Sequence, residues 1–213
     1  MPRPLRSHWP LVVGLGSLAL GVALGVIIDL RGNGALRLDA AWMEEIVEHR
    51  SPLWDVPARV MNVVGGTMFT AALATVLVVV LLVVRHRWTA LYVASAFIAS
   101  NLVVQLLKLL FSRARPQDIL VTIDSGAFPS GHVANAATLA VVVAVISWRW
   151  WIVVAGAAYV VLMALSRTYL GAHWVSDTVG GLLIGAAVAI IVFAPFARRV
   201  LSERGADALA SKP

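Results

Sequence analysis

Cysteine is absent from the 213 residues, which excludes disulfides and thiol chemistry. Charge is scarce as well: 13% of the residues are Asp, Glu, Lys or Arg, against about 25% in soluble domains. Lysine is confined to Lys108 and Lys212, so arginine carries the basic character. What fills the chain is apolar: 60% of it is hydrophobic and its mean hydropathy is +0.87. Several runs are long enough for the roughly 20 helical residues that a bilayer crossing takes. These values exclude an ordinary soluble domain and point to one compact integral membrane domain. The net charge of +6 does not imply nucleic acid, because the basic residues sit in short loops between apolar runs. The richness in Ala, Val, Gly, Leu and Arg fits a GC-rich bacterial genome.

Six spans are expected, giving an all-α, polytopic bundle. They run over Leu11–Ile28, Val60–Val84, Trp88–Phe111, Val133–Ile146, Trp151–Leu165 and Thr178–Phe196. The core covers about residues 10–196, and residues 197–213 form a polar tail. The basic head and apolar stretch at the N-terminus resemble a signal peptide, but no small-residue cleavage site follows, so an uncleaved first helix is expected. Between the first two spans, Leu38, Trp42, Ile46 and Val47 recur at helical spacing opposite Glu44, Glu45 and Glu48. That pattern predicts a short helix lying on the membrane surface. Trp9, Trp88, Trp148, Trp150 and Trp151 mark one interface as an aromatic belt. The glycines at 21, 25, 180, 181 and 185 have spacings that permit close helix contact, although ordinary membrane-helix glycine is the simpler reading.

The polar residues are few, and topology sends them to one place. In a six-span bundle the third and fifth helices end on the face where the fourth and sixth begin. The third closes with "KLLFSRARP", the fourth opens with "PSGH", and "SRTYLGAHWVSD" joins the fifth to the sixth. Lys108, Arg115, Ser130, His132, Arg167, His173 and Asp177 therefore meet at one membrane face. Singly, each has a bland explanation. Lys108 and Arg115 can snorkel, Ser130 can cap a helix, His132 can sit at the interface, and Asp177 can pair with a nearby arginine. Together they suit a phosphate. Three cations can surround a tetrahedral dianion, with arginine's fork gripping two oxygens. "SGH" at a helix start offers backbone N–H groups, and Gly131 permits close approach. His173 and Asp177 stand at i and i+4, which suggests a carboxylate that takes the Nδ1 proton and frees Nε2 as a nucleophile. His132, from another helix, is placed to act as the acid.

The three segments resemble, in order and internal spacing, the signatures of the type 2 phosphatidic acid phosphatase family: a lysine six residues before Arg-Pro, then Pro-Ser-Gly-His, then Ser-Arg with five residues to His and three more to Asp. The resemblance covers about Pro10 to Phe196, and no motif position departs from it. It implies a metal-independent phosphatase without a cofactor. His173 would be the nucleophile, His132 the acid/base and Asp177 the orienter, with Lys108, Arg115, Ser130, Gly131 and Arg167 as phosphate ligands. The family also contains lipid phosphotransferases and is similar to vanadium haloperoxidases, so the motifs specify the oxyanion site more closely than the substrate.

Other readings are weaker. A metal hydrolase on His132, His173 and Asp177 would set one carboxylate beside three cations, which repel a divalent ion. A serine hydrolase on Ser130 lacks the Gly-x-Ser-x-Gly turn. A transporter would normally need polar groups near mid-membrane, where the last three spans carry almost none. A phosphotransferase with the same chemistry stays open. Sidedness comes from arginine and lysine. With the N-terminus inside, the inner segments hold Arg3, Arg6, Arg85, Arg87, Arg149, Arg198, Arg199, Arg204 and Lys212. The outer segments hold eight basic residues, or five without Lys108, Arg115 and Arg167. Both termini are thus expected in the cytoplasm, with the site facing out of the cell membrane. The expected partners are the bilayer and a lipid phosphate or pyrophosphate. Undecaprenyl pyrophosphate is slightly preferred on family grounds, ahead of phosphatidylglycerol phosphate and phosphatidic acid.

Overall fold

The computed structural model describes residues 8–122 and 126–210, with side chains described as far as Gly205. Arg3, Arg6 and Lys212, which enter the charge count, lie outside these residues. Eight helices make up the fold among the described residues: α1 (Trp9–Leu30), α2 (Arg37–Glu48), α3 (Pro52–Val64), α4 (Thr67–Val83), α5 (Arg87–Phe111), α6 (Gly131–Ser147), α7 (Trp150–Tyr169) and α8 (Val175–Ala210). By length and composition α1, α5, α7 and α8 can each cross a membrane. The α3–α4 pair, bent by 54°, can supply a fifth crossing, whereas α6 is a shorter apolar helix. The expected second span is therefore a broken one that starts earlier than Val60. Gly65 and Gly66 interrupt it, having the weakest helix propensity short of proline.

The long α8 is the hub. It packs against α1, α5 and α6, while α7 lies on α6 and α3, and α4 lies on α5. Small residues set these contacts. A Cβ on Gly21 would stand 2.9 Å from Ile184 Cγ1, and one on Gly185 would stand 2.8 Å from Ala134 Cα. These glycines are points of close helix approach, so the simpler reading of them was the wrong one. The remaining gaps are filled by Ile28, Phe111, Phe128 and Ile184 on one side and by Tyr92, Val93, Val142 and Phe193 on the other.

Two polar devices fix the ends. At the end away from the motifs, α8 continues through Pro195 to Ala210, so most of the expected tail is helical. There the Glu203 carboxylate accepts the backbone N–H groups of Trp88 and Thr89 at 2.9 and 3.0 Å, satisfying orphan donors at the start of α5. Arg199 stacks 3.7 Å over the Trp88 ring, and Arg204 lies 5.3 Å from Trp148. At the motif end, Tyr169 donates its hydroxyl to Asp55 Oδ1 at 2.7 Å and ties α7 to α3. Gly171, with φ +65°, makes the left-handed step between α7 and α8 that other residues avoid.

The short helix is present as α2, and its inward face is only partly the predicted one. Trp42 and Ile46 are half-buried, with Ile46 packed beside Ala58 and Leu170, but Leu38 and Val47 stay exposed and Asp39 and Met43 are the buried residues. An aspartate turned inward has to have partners, and it finds them at the site.

Candidate active site

The ends of α5 and α7 and the starts of α6 and α8 meet as the topology requires. Ser130 N–H donates to the Asp177 carbonyl at 2.9 Å, joining the start of α6 to that of α8. Ala127 N–H donates to the Arg113 carbonyl at 2.9 Å, holding the loop before α6 against the end of α5. All the residues expected from the sequence border this junction. Ser130, Arg167 and Asp177 are completely buried, and Lys108 and His173 nearly so.

Ser130 occupies the N-cap position of α6 but makes no capping bond. Its Oγ is buried and has no hydrogen-bond partner among the described residues. The Arg167 guanidinium gives NH1 to the Asn62 side-chain oxygen and leaves Nε and NH2 buried without partners. Buried polar groups are normally satisfied. Three such donors near one junction are an arrangement suited to receiving an oxyanion. Lys108 Nζ and Arg115 NH2 both donate to the Gly126 carbonyl, the latter at 3.2 Å, and Arg115 NH1 donates to the Ala172 carbonyl. Both cations thus line the same space.

His173 sits in the turn before α8, not on the helix, so it and Asp177 do not share a helical face. Its Nδ1 lies 2.8 Å from the Ala127 carbonyl and 3.6 Å from Asp177 Oδ2. Nδ1–H therefore donates to the carbonyl rather than to the aspartate, and this assigns the tautomer that leaves a lone pair on Nε2. Arg115 NH1 stands 3.4 Å from that nitrogen. Burial, then the charges of Arg167, Arg115, Lys108 and His132, hold His173 well below the ordinary histidine value, so the ring is neutral at physiological pH. His132 is held by a different contact: its Nε2 lies 3.0 Å from the Asn62 carbonyl of α3. Gly65 makes room for it, since a Cβ there would come within 3.0 Å of the His132 ring.

Asp177 caps α8. Its Oδ2 accepts Trp174 N–H at 2.8 Å, the return half of a capping box, and its Oδ1 accepts Arg113 NH1 at 2.5 Å. The pairing with a nearby arginine thus occurs, and Arg113 is that arginine. Its place inside "KLLFSRARP" does not by itself announce that role. Asn62 and Asp39 belong to no motif. Asn62 left a signal, a lone amide at the start of an apolar run, whereas Asp39 was hidden among the other acids of its helix. Among the described residues, the group of acids and histidine spaced to hold a metal ion is Glu45, Glu48 and His49, exposed on α2.

This arrangement can bind a tetrahedral anion and present an imidazole nitrogen to it. The model of the PAP2 superfamily matches residues 89–200, from early α5 into the last third of α8. Phosphatidylglycerophosphatase B of Bacillus subtilis is 27% identical over 170 residues, covering 75% of this chain and 84% of that protein. An undecaprenyl-diphosphatase of Sulfolobus acidocaldarius is 37% identical over 65 residues, covering 30% and 31% of the two chains. Among solved structures, the Bacillus subtilis PAP2-type phosphatidylglycerolphosphate phosphatase superposes with a TM-score of 0.76. It is 23% identical and covers 87% of this chain and 96% of its own. Aquifex aeolicus LpxE gives a TM-score of 0.65 at 26% identity, covering 74% and 96%.

Proposed function

The chain belongs to the PAP2 superfamily and is a membrane lipid phosphatase, and we propose that it hydrolyses its substrate through a phosphohistidine at His173. The observation that carries this reading is the cradle of unpartnered donors, Ser130 Oγ with Arg167 Nε and NH2, beside the neutral ring of His173. In the first step His173 Nε2 attacks phosphorus in line as the bond to the leaving oxygen breaks, and His132 gives that oxygen a proton. In the second, water attacks the phosphohistidine, His132 takes a proton from it, and inorganic phosphate leaves. Lys108, Arg115 and Arg167 offset charge on the equatorial oxygens throughout, the main electrostatic contribution in phosphoryl transfer. No metal ion has a part in either step.

A lipid substrate is supported by the surroundings of the site. An apolar cavity of about 640 Å³ lies between α3 and α7, lined by Trp54, Ala58, Met61, Leu162 and Ser166. Met61 and Ser166 of its lining are the sequence neighbours of Asn62 and Arg167, so a hydrocarbon chain there would place its phosphate near the cradle. Phosphatidylglycerol phosphate becomes the preferred substrate, because the relative carrying that activity in its name matches most of the chain. Undecaprenyl pyrophosphate is the second reading, supported by higher identity over a shorter stretch. Both termini lie in the cytoplasm and the site faces outward on this reading.

Phosphate release by the purified protein in detergent tests the substrate. Phosphatidylglycerol phosphate, undecaprenyl pyrophosphate and phosphatidic acid are offered with and without a chelator. The expected result is fastest release from phosphatidylglycerol phosphate, unchanged by chelation. Transfer of the phosphoryl group to a second lipid without free phosphate would identify a phosphotransferase, and loss of activity with the chelator would overturn the metal-free mechanism.

A further inference from the structure

Behind the phosphate cradle lies a second polar cluster that the reaction steps do not use. Arg113, Asp39 and Asp177 are buried to within 1% of complete, although each bears a charge. Burying an unpaired charge is very costly, so such groups persist only when paired and hydrogen-bonded. Here the pairing is nearly complete. Arg113 NH1 donates to Asp177 Oδ1 at 2.5 Å and to Ser176 Oγ at 2.8 Å. Arg113 NH2 donates to Asp39 Oδ2 at 2.8 Å and to the Gly34 carbonyl at 2.9 Å. Asp39 also accepts Ser176 N–H at 2.9 Å, Ser176 Oγ–H at 2.6 Å and Leu36 N–H at 3.1 Å. Burial alone would raise the Asp39 carboxyl, but the bonds from Ser176, Arg113 and Leu36 bring it below its usual range, so it is ionised.

The chain of contacts has a direction. Asp39 belongs to α2, ahead of the segment that the family model matches. From there it grips Arg113 at the end of α5 and the backbone of Ser176 in the first turn of α8. Arg113 in turn holds Asp177, whose second oxygen fixes Trp174 N–H and lies 3.6 Å from His173 Nδ1. Two carboxylates against one guanidinium leave a net charge of −1 on the Nδ1 side of the ring. That charge is useful when Nε2 attacks phosphorus and the imidazole becomes cationic. Among the described residues none of Asp39, Arg113 and Ser176 is hydrogen-bonded to Ser130 or Arg167; Asp177 is the link, lying against His173 and accepting Ser130 N–H on its backbone carbonyl.

We propose that Asp39 and Arg113 are positioning residues: α2 acts as a buttress whose carboxylate, through Arg113 and Asp177, holds the turn that carries His173 and stabilises the developing charge of its imidazole. The inference rests on His173 being the nucleophile of a lipid phosphatase. It extends the working site beyond the family segment to a surface helix that otherwise reads as a connector.

The test uses the full-length protein in detergent, with phosphatidylglycerol phosphate as substrate and vanadate as a probe of the cradle. Asp39→Asn keeps the shape and removes the charge. Its expected effect is a fall in kcat of roughly 10–100-fold, by analogy with the loss of an outer partner of a metal-bound histidine, with KM and vanadate inhibition close to wild type. Because Asp39 acts through Asp177, the losses in Asp39→Asn and Asp177→Asn should not multiply in the double variant. Ser176→Ala should lower kcat in the same sense by a smaller factor, and it serves as the decisive variant if Asp39→Asn does not fold. Glu44→Gln, on the exposed side of α2, should leave kcat unchanged. Wild-type kcat in folded Asp39→Asn or Ser176→Ala, or losses that multiply with Asp177→Asn, would overturn the proposal. A wild-type enzyme that releases no phosphate would instead refute the functional reading on which the proposal stands.

Discussion

Replacing His173 with alanine is expected to remove nearly all turnover, on the order of 10⁴-fold or more, as for other lost nucleophiles. The expectation follows from the division of labour in the site. On the proposed reading Lys108, Arg115, Arg167 and Ser130 hold the anion, and His173 is the imidazole whose Nδ1 is tied to a backbone carbonyl while Nε2 faces Arg115. The variant should therefore still bind vanadate, because the cationic cradle is intact. Retention of binding separates this outcome from a collapsed site, which would lose both. Turnover near wild type in a folded His173→Ala protein would refute the nucleophile assignment.

The second large effect is expected at Arg167. Removing one cation aimed at the developing charge should cost on the order of 3 kcal/mol, or roughly 10²-fold in kcat/KM, by comparison with a lost oxyanion donor. Arg167 is the sharpest choice of the three. One nitrogen is committed to Asn62, which leaves Nε and NH2 for the substrate. Arg167→Ala removes all three nitrogens. Arg167→Lys retains the charge but cannot span Asn62 and two phosphate oxygens together, so it should recover little of the loss. Steady-state kinetics on folded variants checks both substitutions. Near wild-type kcat/KM in Arg167→Lys would mean that a point charge suffices and that the fork is incidental.

Much of the site was legible because its chemistry sits at the ends of apolar runs. In a bundle of antiparallel spans, parity alone delivers Lys108, Ser130, Arg167 and His173 to one face, and each carries a side chain whose type announces phosphate. What escaped has no such announcement. The acceptor for His173 Nδ1 is the backbone carbonyl of Ala127, which every residue possesses. The pairing of Arg113 with Asp39 joins residues 74 apart in the chain, from a helix whose buried face mixes one aspartate with apolar side chains. Of the apolar residues that define the amphipathic pattern of α2, Trp42 and Ile46 turn partly inward while Leu38 and Val47 do not, because in a membrane such side chains are as well placed outside as inside. The break at Gly65 was lost within a long apolar run, because hydropathy reports how much of the chain is greasy and not where its axis bends. The glycines facing Ile184 and Ala134 were visible as small residues, but only packing shows which of them a second helix touches.

The covalent intermediate is the most direct point of attack. The purified protein is mixed with lipid phosphate radiolabelled in its phosphoryl group, quenched in alkaline detergent during the first turnover, and mapped by peptide. The expected result is an acid-labile, base-stable phosphate on the peptide containing His173, absent from His173→Ala. A complete first turnover with no label on the protein, or label on His132 instead, would contradict phosphoryl transfer to His173.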